Sequence, residues 1–217
     1  MDYGKSLKDT IADSIREDII LCKLKPGERL IEPKLSERFG ISRTPIREAF
    51  RQLEGEGFIN IIPRKGAVVT EITPKDVDDL YLIAAKLEGL AAYLAVPSIT
   101  EDDLAQMQRK NDELEKLQGQ VVSRDYSFIN NSFHSIFINR CHNERLIHIL
   151  YSLSRQFDRF RNLIITMTDK VDAAVHDHNS ILDAFKRREA KLAEDLVYHH
   201  VLQSGERLKK LILSKTQ

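Results

Sequence analysis

No tryptophan occurs in this chain of 217 residues, and proline (six) and glycine (nine) are sparse. So few helix breakers over that length favour a largely helical chain. Only two cysteines are present, Cys22 and Cys141, far apart and outside any CxxC spacing. That argues against a disulfide framework and against a cysteine-rich zinc site, and makes a reducing cytoplasm the expected compartment. Long apolar runs are missing as well. The longest, Leu80 to Val96, is broken by Lys86, Glu88 and Gly89, too short and too polar to span a membrane. Met1 leads into Asp2 and Lys5 without an apolar segment behind them, so no secretory signal is read. Net charge is also absent: 33 basic residues balance 33 acidic ones, and the global charge is silent about nucleic acid.

What is present is the profile of a soluble globular protein, with 42% hydrophobic and 30% charged residues. The length suits one large domain or two small ones with real cores. Charge is uneven locally. Between Lys25 and Lys65 nine basic residues face six acidic ones, a surplus of three in a neutral chain. By itself this surplus describes a basic surface or a solvated helix face equally well.

The pattern along the chain divides at Thr73-Pro74. Ser6 is a candidate N-cap for a helix to about Cys22, with Leu7, Ile11, Ile15 and Ile19 forming a one-sided stripe. Lys25-Pro26-Gly27-Glu28 makes a turn, and Arg29-Leu30-Ile31 a short strand. A second helix is expected from Pro33 to Phe39, ended by Gly40. Ser42 or Thr44 caps a third, to about Glu54. Residues 58–62 and 67–70 read as strands, with Pro63-Arg64-Lys65-Gly66 as the hairpin tip. Beyond this the chain reads as helix at 74–95, 101–118, 122–140, 143–167, 170–187 and 189–213. The fold class is therefore mainly α. Residues 1–73 form a winged helix-turn-helix with a small β-hairpin wing, and residues 74–217 an all-α bundle of about six helices.

The short link Gly40-Ile41 lets the third helix stand out and enter a major groove. Its start carries Ser42, Arg43, Thr44 and Arg47. Hydroxyls and helix-start N–H groups suit phosphate, and arginine suits the O6/N7 edge of guanine. Arg64, Lys65 and Gly66 at the wing tip suit phosphate or the minor groove; the alternative is a charged hairpin with no role.

In the second half, spacing selects three of seven histidines. His134 shares a helix face with Asn130 and Ile138, His178 lies in a stripe with Val175, Ile181 and Leu182, and His200 follows Leu196 and Val197. His176 and His199 align with polar neighbours instead. Three inward imidazoles are either hydrogen-bonded core residues or the ligands of a metal in a helical bundle. No acid or base is convincingly placed beside them and no nucleophile motif is found, so a metal-dependent enzyme is the weaker rival to a regulator.

Residues 35–49, Leu-Ser-Glu-Arg-Phe-Gly-Ile-Ser-Arg-Thr-Pro-Ile-Arg-Glu-Ala, resemble the DNA-binding signature of GntR-type bacterial regulators, and Leu53 to Ile59 with Arg64-Lys65-Gly66 continue the match. The resemblance implies operator contacts from Ser42, Arg43, Thr44, Arg47 and Gly66. Pro33 stands where relatives often carry a phosphate-contacting residue, and Lys34 or Arg38 is the candidate replacement. The second half resembles the helical effector domain of the FadR subfamily, the FCD type, at Leu87-Glu88, Phe133-His134, Asn143 to Leu146, His178 to Ala184 and His200-Val201.

That likeness implies a divalent metal, zinc or nickel foremost, held by one aspartate and three histidines, with a small carboxylate effector reaching it. The histidines match His134, His178 and His200; the aspartate position is Asn130, which adds no charge and predicts a weaker or more selective site. Ala84 stands where relatives commonly carry an arginine, leaving Arg159 or Arg161 as candidates for the carboxylate contact. The expected function is ligand-responsive transcription regulation, as a repressor. A homodimer would bind a palindromic operator in double-stranded DNA, with no membrane partner; a regulator whose effector is the metal itself is the nearer rival.

Overall fold

In a computed structural model the described residues are 6–64, 66–117, 124–165 and 174–215. The chain divides into two compact units, Met1–Ile72 and Thr73–Gln217.

In the first unit α1 (Leu7–Ile20) starts at Ser6, whose side chain accepts from the Asp9 N–H. Ile11, Ile15 and Ile19 recur every four residues and are buried, as the stripe predicts. The short β1 (Arg29–Leu30) leads into α2 (Glu32–Phe39). Pro33 lies in the first turn of α2, where its missing N–H leaves no bond unmade. Gly40 ends α2 with φ +65°, a left-handed conformation that suits glycine, and its N–H closes on the Glu37 and Ser36 carbonyls. α3 (Arg43–Gly55) follows α2 after three residues, Gly40 to Ser42. It buries Ile46, Ala49, Phe50 and Leu53 in one cluster with the α1 isoleucines, Leu30, Phe58, Ile59, Ala67 and Val69. Each large side chain so buried contributes roughly 1.5–3 kcal/mol.

β2 (Ile59–Ile62) and β3 (Gly66–Val69) form the wing, and the antiparallel sheet has the order β1-β3-β2. Ile59 pairs with Val69 and Ile62 with Gly66, while Arg29 pairs with Val68 on the other edge. Gly66 is thus the first residue of β3 rather than part of the tip. Arg16 is buried beside this core, and its guanidinium forks onto Glu56 at 2.7 and 2.9 Å, tying α1 to the end of α3.

The second unit contains α4 (Pro74–Ala95), α5 (Glu101–Glu115), α6 (Arg124–Arg140), α7 (Glu144–Ile165), α8 (Ala174–Lys186) and α9 (Ala190–Lys215). The six helices match the sequence expectation within a few residues; where the expected ends fall in 118–123 and 166–173 they lie outside the described residues. Thr73 and Thr100 start α4 and α5 with reciprocal capping boxes to Asp76 and Asp103. α4 and α9 run antiparallel: Gly205 lies against Tyr81, and Gly89 against Glu194 and Tyr198. Glycine is required at 205, because a Cβ there would sit 2.7 Å from Tyr81 Cβ and Cγ. Arg188 donates to the carbonyl of Val96, the C-cap of α4, at 2.9 Å and to that of Ile99, in the link to α5, at 2.6 Å.

Candidate functional site

The start of α3 exposes Ser42, Arg43, Thr44 and, one turn on, Arg47, while its opposite side is buried. Ser42 occupies the N-cap position but makes no side-chain capping bond, and no acidic residue lies in the first turn. The helix start therefore offers N–H groups and the positive end of its dipole with no carboxylate of its own in competition. Arg47 is not idle: its Nε donates to Glu32 Oε2 at 2.9 Å. Arg38 pairs with the buried Asp18 of α1 at 2.6 Å, so a phosphate contact from Arg38 competes with that bond. Lys34 is exposed. At the wing, Arg64 is exposed with φ +65° and Gly66 has φ +84°; Lys65 lies outside the described residues. Arg29, on β1 and not among the DNA contacts expected from the sequence, brings its guanidinium within 3.8–3.9 Å of where a Gly66 Cβ would stand.

In the second unit His134 of α6, His178 of α8 and His200 of α9 are 7%, 0% and 4% exposed. One ligand atom from each lies within 4.8 Å of the other two. His178 Nε2 and His200 Nε2 are 3.3 Å apart. Two nitrogens about 2.0–2.1 Å from one tetrahedral zinc ion are separated by roughly this distance. The outer nitrogens are engaged differently. His134 Nδ1 donates to Glu88 Oε2 at 2.6 Å, and His200 Nδ1 to Asp177 Oδ2 at 3.1 Å. Both carboxylates select the Nδ1–H tautomer and leave an Nε2 lone pair pointing inward.

His134 Nε2 and His178 Nδ1 are buried without a hydrogen-bond partner among the described residues. Burial, with His200 and His134 alongside, holds His178 well below its ordinary pKa. Burial likewise lowers His200, against the pull of Asp177. The hydrogen bond from His200 in turn keeps the Asp177 carboxyl below its usual range. Neutral imidazoles and an orphaned ring nitrogen fit a metal better than a hydrogen-bonded core. Asn130 is buried one turn before His134 on α6, as the spacing predicts.

A cavity of about 240 Å³ adjoins His134 and Glu88, with an apolar side of Ile138, Leu150 and Phe157. Its serines, Ser132, Ser135 and Ser154, donate to carbonyls of their own helices, at 2.8, 2.9 and 2.9 Å. Ala84 is fully buried. Arg159 and Arg161 lie on α7, and their side chains are outside the described residues. Sequence reasoning missed the cavity, and it gave Glu88 and Asp177 no role; for Asp177 the available signal was its place next to His178.

A winged helix-turn-helix followed by a helical unit with a buried histidine cluster defines a DNA-binding transcription regulator with a sensing domain. Residues 7–69 match the bacterial regulatory proteins of the gntR family, and residues 79–203 match the FCD domain. The chain belongs to this family of GntR-type regulators carrying an FCD domain. It is 31% identical to the HTH-type transcriptional regulator YdhC of Bacillus subtilis, over 87% of this chain and 84% of that one. It is 25% identical to the HTH-type transcriptional repressor RspR of Escherichia coli, over 91% and 86%. Among solved structures, Escherichia coli McbR/YncC superposes with a TM-score of 0.76 over 95% of this chain and 99% of that one, at 22% identity, a likeness of fold. These relatives are transcriptional regulators, not enzymes.

Proposed function

We propose that the protein is a cytoplasmic repressor of the FadR subfamily that binds a palindromic operator as a homodimer and releases it when a small carboxylate enters the helical unit. The observation that carries this reading is the three-histidine cluster beside a 240 Å³ cavity, in a chain whose other unit is a DNA-reading head. Ser42, Arg43, Thr44 and Arg47 read the major groove from the start of α3; Lys34 and Arg38 meet phosphate, and Arg64, Lys65 and Gly66 bring the wing to the backbone. Twofold symmetry in the protein matches twofold symmetry in the operator. The name of RspR, a repressor, supports the sign of regulation.

Asn130, His134, His178 and His200 would hold a divalent ion, zinc or nickel, whose chemistry here is to bind a ligand carboxylate. Arg159 or Arg161 takes the contact that Ala84 cannot make. A carboxylate shifts DNA affinity only through its different affinity for the two states of the dimer.

The test is operator binding by the chelator-treated full chain, titrated with zinc or nickel and then with a panel of small organic acids. An acid that weakens operator binding only when metal is present is the expected result, and insensitivity to every acid would overturn the reading. A change produced by metal alone would favour the ion itself as effector, a reading supported by the buried ligand set.

A further inference from the structure

His134 and His200 each carry a carboxylate on the nitrogen that faces away from the cluster, while Asn130, buried one turn before His134 and proposed above as the fourth ligand, is neutral. Three imidazoles and an amide leave the charge of a divalent ion uncompensated among its own ligands. Burying that charge without an opposite one nearby is unfavourable. Glu88 reaches His134 Nδ1 at 2.6 Å from α4, and Asp177 reaches His200 Nδ1 at 3.1 Å from α8. Their side chains are 13% and 25% exposed, sheltered enough for their charge to be felt at the cluster. Among the described residues His178 has no such partner on its buried Nδ1.

We propose that Glu88 and Asp177 are positioning residues that carry, one bond outward from the ligands, the negative charge that Asn130 does not supply. Each accepts an Nδ1–H, fixes the ring so that Nε2 points into the cluster, and makes that imidazole a stronger donor. The two carboxylates together bring two negative charges to the surroundings of the ion, Asp177 doing so beside Arg207. This rests on the metal reading above and adds to it the source of the site's charge. It also makes the site tolerant of the neutral residue at 130: the compensation is moved outward rather than lost.

The experiment is zinc titration of the chelator-stripped full chain, by calorimetry and by competition with a chromophoric chelator. The variants are Glu88→Gln, Asp177→Asn, His178→Ala, Asn130→Asp, and Glu88→Gln combined with Asn130→Asp. The amides keep the size of the side chain and an oxygen that can accept, and remove only the charge. Glu88→Gln and Asp177→Asn are each expected to weaken zinc binding about 10- to 100-fold. The melting temperature of the metal-free protein checks that each variant is folded.

Asn130→Asp is expected to tighten zinc binding by a larger factor in the Glu88→Gln background than in the parent, a coupling that a merely structural role for Glu88 does not produce. Zinc binding unchanged in both Glu88→Gln and Asp177→Asn, or an equal gain from Asn130→Asp in the two backgrounds, overturns the proposal while leaving the metal reading intact. Should Glu88→Gln fail to fold, Asp177→Asn alone decides by the same criterion. If the parent protein binds no zinc and His178→Ala behaves identically, the metal reading itself fails, and this inference with it.

Discussion

His178 Nε2 and His200 Nε2 face each other at 3.3 Å although burial keeps both rings from protonating readily. A single proton between them joins only one pair, and His134 Nε2 is left with no hydrogen-bond partner among the described residues. A bound ion satisfies all three at once. Zinc analysis of reconstituted protein should therefore find one ion per chain, lost in His178→Ala. Asn130→Asp should bind zinc more tightly than the parent by tenfold or more, since a carboxylate adds charge at the ion itself. Equal affinities for the parent and Asn130→Asp would remove the assigned role of position 130.

For the contacts proposed at the start of α3, Arg43→Ala and Arg47→Ala should each weaken operator binding by about 1–3 kcal/mol and relax discrimination wherever the lost contact was to a guanine. Arg47 carries an extra consequence, because Glu32 holds its Nε in the free protein. An exposed pair of this kind is worth about 1 kcal/mol at most. Glu32→Gln should free the guanidinium and raise operator affinity up to roughly fivefold at low salt. Binding measured by fluorescence anisotropy on operator and scrambled duplexes separates the two effects. Discrimination left intact by both arginine variants would mean that α3 is not the reading helix.

The wing contacts proposed for Lys65 and Arg64 are of a different class. A cation on phosphate contributes affinity without sequence preference, so Lys65→Ala should weaken operator and scrambled duplex alike. The slope of log K against log salt should fall by about 0.9 for each lost contact. A loss confined to the operator would instead place the wing against base edges.

Much of this was legible because helical period is a local property. The four-residue spacing of Ile11, Ile15 and Ile19 located the buried face of α1, and the same arithmetic separated inward His178 from outward His176. Gly40 marked the end of α2 because few other residues tolerate its φ. What stayed hidden was tertiary. Glu88 and His134 are 46 residues apart, and no spacing rule connects α4 to α6. The bond between Arg47 and Glu32 joins two helices whose angle is set by packing, not by either helix alone. Residue type alone offers Ser42 or Thr44 as the cap of α3; Ser42 occupies the position and makes no side-chain capping bond.

The close approach of α4 and α9 depends on Gly205. A methyl group there meets Tyr81 at 2.7 Å, so either the ring or the helix must move. Gly205→Ala should destabilise the helical unit by about 1–3 kcal/mol despite alanine's better helix propensity. Trimming the neighbour in Gly205→Ala/Tyr81→Ala should show less destabilisation than the two single changes added together. Thermal unfolding followed by circular dichroism measures this, and strict additivity would show that the contact is not the cause.

Acid should unfold the helical unit partly through Asp103. Burial alone would raise this carboxyl, but hydrogen bonds from Thr100 and Arg140 outweigh it and hold the group below its ordinary 3.8. The unfolded chain therefore takes up the proton first as pH falls. The stabilising contribution is complete above pH 3.8 and is lost as the pH drops from there through the folded-state value. Asp103→Asn keeps the shape of the cap and removes the charge, losing the charged pair to Arg140, whose Nε lies 2.8 Å away. It should lower stability by about 1–2 kcal/mol at neutral pH, with the gap to the parent closing below pH 3.8. Urea unfolding at a series of pH values measures the gap directly. Parallel curves for parent and variant down to pH 2 would assign the acid sensitivity to other carboxylates.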